Sequence, residues 1–438
     1  MASTLPKKRL AVGAIALFLL IISWLWWSHI MKMRLQAKID ELESRHEPVY
    51  VTDLDFPPVP DGQNAAFYYL SAAVAKSATI ISPAESNLSY PGYPPYPPAW
   101  YQLEDQAYVA NQKAFSIARQ ARNLDRADWG VQSIHFASAN TTNLNAMRSL
   151  ANELGDAALY AHMHHNDEQA IQYLFDVLHQ ADSVDQHGLL IDRLVAAGIQ
   201  ALAVDRIETI AVDLQIRGHS NSPDAVDRAD VFQLIQQLLD EPIQSKKRSW
   251  TMARERIAAF SQLFYIRDRA TVLRPLVNLW EIHTLDEWTL LSKAMDAPNW
   301  PMAQAILSGA QPYSRYVEIE FRVTSQRRLA AVSLALQLYR SDHGNYPSDL
   351  KSLVGEYLAA VPLDPFYAMP QPIGYLPPQN SGVIRPLLFI DPPGFPSTAP
   401  PPGTPTFAWN NATARQWLDV APWWMAAGAP ATAPASHQ

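Results

Sequence analysis

The sequence predicts a mainly α protein: an N-terminal transmembrane helix, an irregular antiparallel helical domain built of α-α hairpins, a small C-terminal module and a Pro-rich tail. Three observations carry this. Residues 10–30 contain no Asp, Glu, Lys or Arg, and about 20 apolar residues suffice to cross a bilayer as a helix. From about 101 to 300, apolar residues recur at spacings of three and four, with few Gly or Pro to interrupt them. After 370 lysine disappears and proline rises to 14 of the last 68 residues. The expected divisions are 1–47 (anchor and stalk), 48–100 (Pro-rich linker with one helix), 101–300 (helical domain), 301–370 (C-terminal module) and 371–438 (tail, partly disordered).

Lys7, Lys8 and Arg9 precede the apolar run, and Trp24, Trp26 and Trp27 sit near its far end, where indole rings favour the membrane interface. Lys32, Arg34 and Lys38 follow on the other side and weaken the charge asymmetry. A cleaved signal peptide is the rival reading, but Leu35 spoils the nearest small-x-small site, at Ala37. The expectation is a single-pass signal-anchor in the cell membrane, with a cytoplasmic amino terminus and the bulk of the chain extracytoplasmic.

Residues 31–47 read as a charged helical stalk that Pro48 ends. Gln63–Lys76 is the linker's helix. SYPGYPPYPPAWY at 89–101 has polyproline character, either a ligand for an aromatic groove or a stiff spacer over the domain. Expected helices follow at 103–124, 142–164, 167–183, 187–216, 224–239, 242–270 and 276–296. Residues 329–343 form another, stopped by His343-Gly344-Asn345, and a second short helix runs to Tyr357-Leu358. Residues 383–390 suggest one or two edge strands around Pro386, and 411–428 a short helix.

Several chemistries are excluded. The absence of cysteine removes disulfides and thiolate sites. No two of the 16 glycines stand as G-x-G, which removes the dinucleotide and P-loop fingerprints. There is no G-x-S-x-G and no H-E-x-x-H. A net charge of −8 argues against a general polyanion binder, so no nucleic-acid partner is expected.

The richest ionisable cluster is His162, His164, His165, Asp167 and Glu168, with His179 and His187 beyond. Imidazole and carboxylate suit zinc, but spacings of two and three spread these histidines around a helix end. They read as polar residues covering a helix–helix turn, and no metal, cofactor or catalytic residue is expected. Asp176, Asp182, Asp185, Asp205 and Glu208 read as a solvated face. In the basic run Lys246-Lys247-Arg248, Arg254, Arg256, Arg267, Arg269 and Arg274, with Trp250, Phe260 and Phe264 interleaved, the aromatics are expected inside and the arginines wet. Tyr346, Pro347, Asp364 and Pro365 are read as structural turn residues.

Three resemblances add to this. LAAVSLALQLYRSDHGNYPSDLKSLVGEYLAAVPLDPF, 329–366, resembles the YP/PxDP segment of type II secretion major pseudopilins. Those proteins carry a Glu five residues past an N-terminal cleavage site. Here Phe18 follows Gly13 at that distance, so filament insertion is not expected. LFIDPPGFP at 388–396 also departs from their calcium segment. Residues 150–180, with LGDAALY, a turn at His165-Asn166-Asp167 and EQAIQYL, resemble one tetratricopeptide-type hairpin. No copy follows at a period of 34. The order of anchor, PPVPDGQNAAFYYLSAA, SIHFAS, helical core and YP/PxDPF is similar to uncharacterised membrane-anchored families of planctomycete bacteria. That resemblance implies an envelope location and assigns no catalytic residues. Function is expected to be binding or scaffolding of an unknown protein partner. Two alternatives stay open: an enzyme using an acidic/His cleft, and an accessory component of a secretion or pilus-like system.

Overall fold

The computed structural model describes residues 7–54, 57–90, 94–130, 141–186, 188–218, 222–262, 311–365, 371–377 and 387–389. Within them the protein is mainly helical, with a single pair of short strands. The helices are α1 (Lys7–Ser44), α2 (Ala65–Ala75), α3 (Pro98–Ala110), α4 (Gln112–Ala121), α5 (Thr141–Met163), α6 (Asp167–Val184), α7 (Leu190–Ile210), α8 (Arg228–Leu238), α9 (Glu241–Gln262) and α10 (Gln311–His343).

One helix, α1, is long and apolar enough to cross a membrane. Its side chains from Val12 to Trp26 face outward, which no soluble core would leave uncovered. From Met31 onward the same helix turns a face inward. Ile39, Leu42 and Val49 cluster there with Leu35, and line a small crevice with Arg256 and Ile257 of α9. Arg256 donates to Glu47 Oε2 at 2.6 Å and to the Pro48 carbonyl at 2.7 Å, clamping the end of the stalk.

The body is a stack in which α5, α6 and α7 pack on one another. The second helix, α2, lies on α4 and α5, and α10 lies across α7 and α8. Local signals start the helices. Asn64 accepts from Ala66 N at the start of α2, Asn166 from Gln169 N at the start of α6, and Pro98 opens α3. Gly155 permits close approach, since a Cβ there would meet Leu202 Cδ2 at 3.3 Å. Gly344, at φ +74°, ends α10. A continuous cluster of buried apolar residues runs from Ala65 to Ile373, so residues 311–365 share their core with the helical domain. Ala170, Tyr173, Leu174 and Leu178 lie in that cluster as the spacing predicts.

Several expectations change. The helix expected at 103–124 breaks at Asn111, whose side chain accepts from Ser77 N and donates to Glu153, both at 2.8 Å. The second short helix of the C-terminal module reduces to one 3₁₀ turn, Leu350–Leu353, because Gly355 takes φ +99° and bonds back to the Leu358 carbonyl. The last long helix starts at Gln311, well before Leu329. In the proline-rich stretch Tyr96 and Trp100 are buried and stack at 4.5 Å, and its last residues already belong to α3. Strand β1 (Gly374–Leu376) pairs antiparallel with β2 (Leu387–Phe389). The helices expected at 276–296 and 411–428, the proline run 397–405 and His187 lie outside the described residues.

Candidate functional site

The expected ionisable clusters disperse into separate pairs. His162 is only 8% exposed, correcting its placement on the turn surface. Its Nδ1 meets Asp167 Oδ1 at 2.5 Å and its Nε2 meets Asp213 Oδ1 at 3.2 Å. Burial works to lower its pKa, but the two carboxylates outweigh burial and raise it to about 9. Asp167 also accepts from Gln215 N at 2.6 Å, so the pair ties the α5–α6 turn to the segment after α7. His164 is exposed, bonding the Tyr160 carbonyl, and His165 occupies the left-handed region at φ +59°. These two do cover the turn. Among the described residues no three His, Asp or Glu side chains stand in an arrangement that holds a metal.

Of the acids expected on a solvated face, Asp176, Asp185 and Glu208 are buried, Asp182 is half-buried and Asp205 is exposed as expected. Asp176 meets Arg119 at 2.6 Å, Asp182 meets Lys247 at 2.5 Å, and Asp185 is bonded by Arg193. Asp205 shares Arg206 with Asp156, at 2.6 and 3.0 Å. Glu208 is buried, and burial pushes its carboxyl well above the usual range. The arginines of α9 also differ from expectation, because Arg254 and Arg256 are buried where α9 meets the stalk and α7. Residues 263–274 lie outside the described residues.

The turn residues form a stitched unit. Arg340 lies over the Tyr346 ring at 5.2 Å and donates to its hydroxyl at 3.2 Å, holding the loop to α10. The Pro347 carbonyl accepts from Tyr375 Oη at 2.7 Å. Asp364 N donates to the Gln371 carbonyl and Ile373 N to that of Pro362, so Asp364 and Pro365 are pinned beside β1.

Where α7, the start of α9, α10 and Pro365 meet, they enclose a cleft of about 420 Å³. Four guanidinium groups line it: Arg193, Arg248, Arg327 and Arg328. Two carboxylates face them. Arg193 grips Glu320 bidentately, at 2.7 and 2.8 Å, and Arg328 holds Glu241 at 2.6 Å. Burial alone would raise the Glu320 carboxyl, but Arg193, with Arg248 and Arg327 behind it, holds it below the usual range. Arg327 is 5% exposed and makes one hydrogen bond, to the Gln237 carbonyl at 2.9 Å. Burial pulls it down to about 10, which leaves it charged at neutral pH. Arg248 closes no hydrogen bond or ion pair with a described residue. Neither cation has a carboxylate of its own.

Comparison with protein-family models, curated proteins and solved structures returns no match. The cleft must therefore be read from its own chemistry. It contains no histidine and no unpaired carboxylate to move a proton, but it offers unspent N–H donors from two guanidinium groups. Arg248 belongs to the basic run noted in the sequence. Arg327 and Arg328 were missed, although Glu320, Thr324 and Arg327 fall at helical spacing on one face of α10.

Proposed function

We propose that this is a single-pass, membrane-anchored envelope protein whose helical domain acts by binding, with the arginine-lined cleft as its binding site. One observation carries the reading. Each carboxylate lining the cleft is gripped by an arginine, whereas Arg248 and Arg327 face a roomy cleft without a carboxylate of their own. A catalytic site needs a base or nucleophile within reach of substrate, whereas a binding site needs unspent donors. The exposed apolar length of α1 and its clamped stalk support an anchor that holds this domain at the membrane surface. On the resemblance to planctomycete families, that surface is the extracytoplasmic one.

The test is purification of the full chain from its native membrane beside an Arg248→Gln/Arg327→Gln double variant. A small molecule or protein retained by the wild type and lost from the variant supports the reading. Equal retention by both, or chemical turnover of the retained species, overturns it. Protease added to intact spheroplasts should degrade the domain, and full protection would reverse the orientation.

A further inference from the structure

We propose that the cleft takes a phosphate monoester, with the phosphoryl group held between Arg248 and Arg327. The inference rests on the binding reading above and names the ligand's chemistry. Arg193 is held by Glu320 and Asp185 and Arg328 by Glu241, whereas Arg248 and Arg327 form no ion pair with a described carboxylate. A phosphate monoester carries about −1.5 to −2 at neutral pH and has oxygens enough to pair with both guanidinium groups at once. A single carboxylate offers two oxygens, enough for one fork rather than two. Planar guanidinium forks match phosphate oxygens two at a time. The cleft also offers the Thr324 hydroxyl and lies at the start of α9, where backbone dipoles favour an anion.

The cleft is larger than a phosphoryl group. Its volume lies in the range of small-ligand sites, about 300–1,000 Å³, and Pro242, Phe321, Val323 and Pro365 supply an apolar side. That side suits the organic part of an ester. Either a soluble phosphorylated metabolite or a lipid phosphate headgroup presents this chemistry.

The experiment is calorimetric titration of the detergent-solubilised full chain with glycerol 3-phosphate, with glycerol and citrate as controls. A parallel arm measures thermal stability of the chain in phosphatidylcholine vesicles with and without phosphatidic acid. Saturable glycerol 3-phosphate binding, strengthening as pH rises through the second phosphate pKa near about 6 and weakening with salt, is expected. Arg327→Gln and Arg248→Gln should each weaken it about ten- to hundred-fold. Arg327→Lys should recover part of the loss, because the charge returns without the fork. Because Arg327 is buried, its variant is read only where the far-ultraviolet spectrum matches wild type. The half-buried Arg248→Gln keeps the test decisive otherwise.

Stabilisation by phosphatidic acid alone, lost in the same variants, assigns the site to a lipid headgroup and still supports the proposal. Citrate binding without glycerol 3-phosphate binding, lost in the variants, overturns the phosphate assignment and leaves the binding reading standing. Phosphate binding unchanged by both variants overturns the site. No binding by any probe, together with equal retention in the native purification, overturns both.

Discussion

His162 is charged inside the body because Asp167 and Asp213 hold it there, and that makes one local contribution to stability depend on pH. Its folded pKa is raised from 6.5 to about 9. The stabilisation is therefore complete below pH 6.5 and lost as pH rises through 9. Wild type should lose melting temperature across that window, and His162→Gln should lose less. Near neutral pH, His162→Gln should cost about 1.5–3 kcal/mol, the worth of hydrogen bonds to charged groups, in chemical denaturation. His164→Gln and His165→Gln should stay within about 0.5 kcal/mol as surface changes. Glu104 shifts stability in the same direction with pH, for a different reason. It is 1% exposed, both carboxyl oxygens lack a partner, and burial pushes its pKa well above 4.5. Above pH 4.5 the unfolded chain ionises while the native carboxyl stays protonated, so stability falls as pH rises. Glu104→Gln keeps the shape and cannot ionise. It should melt above wild type at pH 8 and level with it near pH 4, and a variant that melts lower at both would show that Glu104 is ionised and paired.

At the scale of elements, the helices with capping signals and strong periodicity were legible: α2, α5 and α6 begin and end within two residues of expectation. The stop at Gly344 was equally plain, since a left-handed residue there favours glycine. What the sequence hid is long-range. Asn111 breaks a periodic run because Ser77 and Glu153, distant in the chain, capture its amide. The cleft depends on Arg193 meeting Glu320, 127 residues away, and no local pattern announces that meeting. The solvated-face reading failed at Asp176, Asp185 and Glu208 for the same reason, since helical spacing reports which residues share a face but not what packs on it. The last helix gives a direct test. Leu336 is buried on α10, which packs on α7 and α8, whereas Tyr339 is half-exposed against Tyr357. Leu336→Ala should cost about 2–5 kcal/mol as a core cavity. A pseudopilin-like assembly role would instead leave stability unchanged and abolish a partner contact, so a melt of this variant separates packing unit from docking unit.

At the scale of the whole molecule, α1 does two jobs that meet at Met31. Before it the helix presents mainly apolar side chains outward from Val12; after it Leu35, Ile39 and Leu42 turn toward α9, and Glu47 takes the Arg256 fork. Where the chain is cut should therefore matter more than how much is removed. Deleting residues 1–30 removes the length apolar enough to cross a membrane and keeps the clamp, so the remainder should fold and stay in solution. Deleting residues 1–47 uncovers Ile257 and leaves Arg256 buried without Glu47. A broken buried pair of this kind costs about 3–5 kcal/mol, and Arg256→Ala in the full chain should show a loss of that order by stranding Glu47 instead. Fractionation and thermal melts of the two truncations check this together. The shorter deletion should leave the membrane fraction at high salt with a melting temperature near that of the full chain, and the longer one should melt several degrees lower. If the 1–30 deletion remained with membranes at high salt, a second membrane contact would have to exist. Trp423 and Trp424, beyond the described residues, would be the first place to substitute.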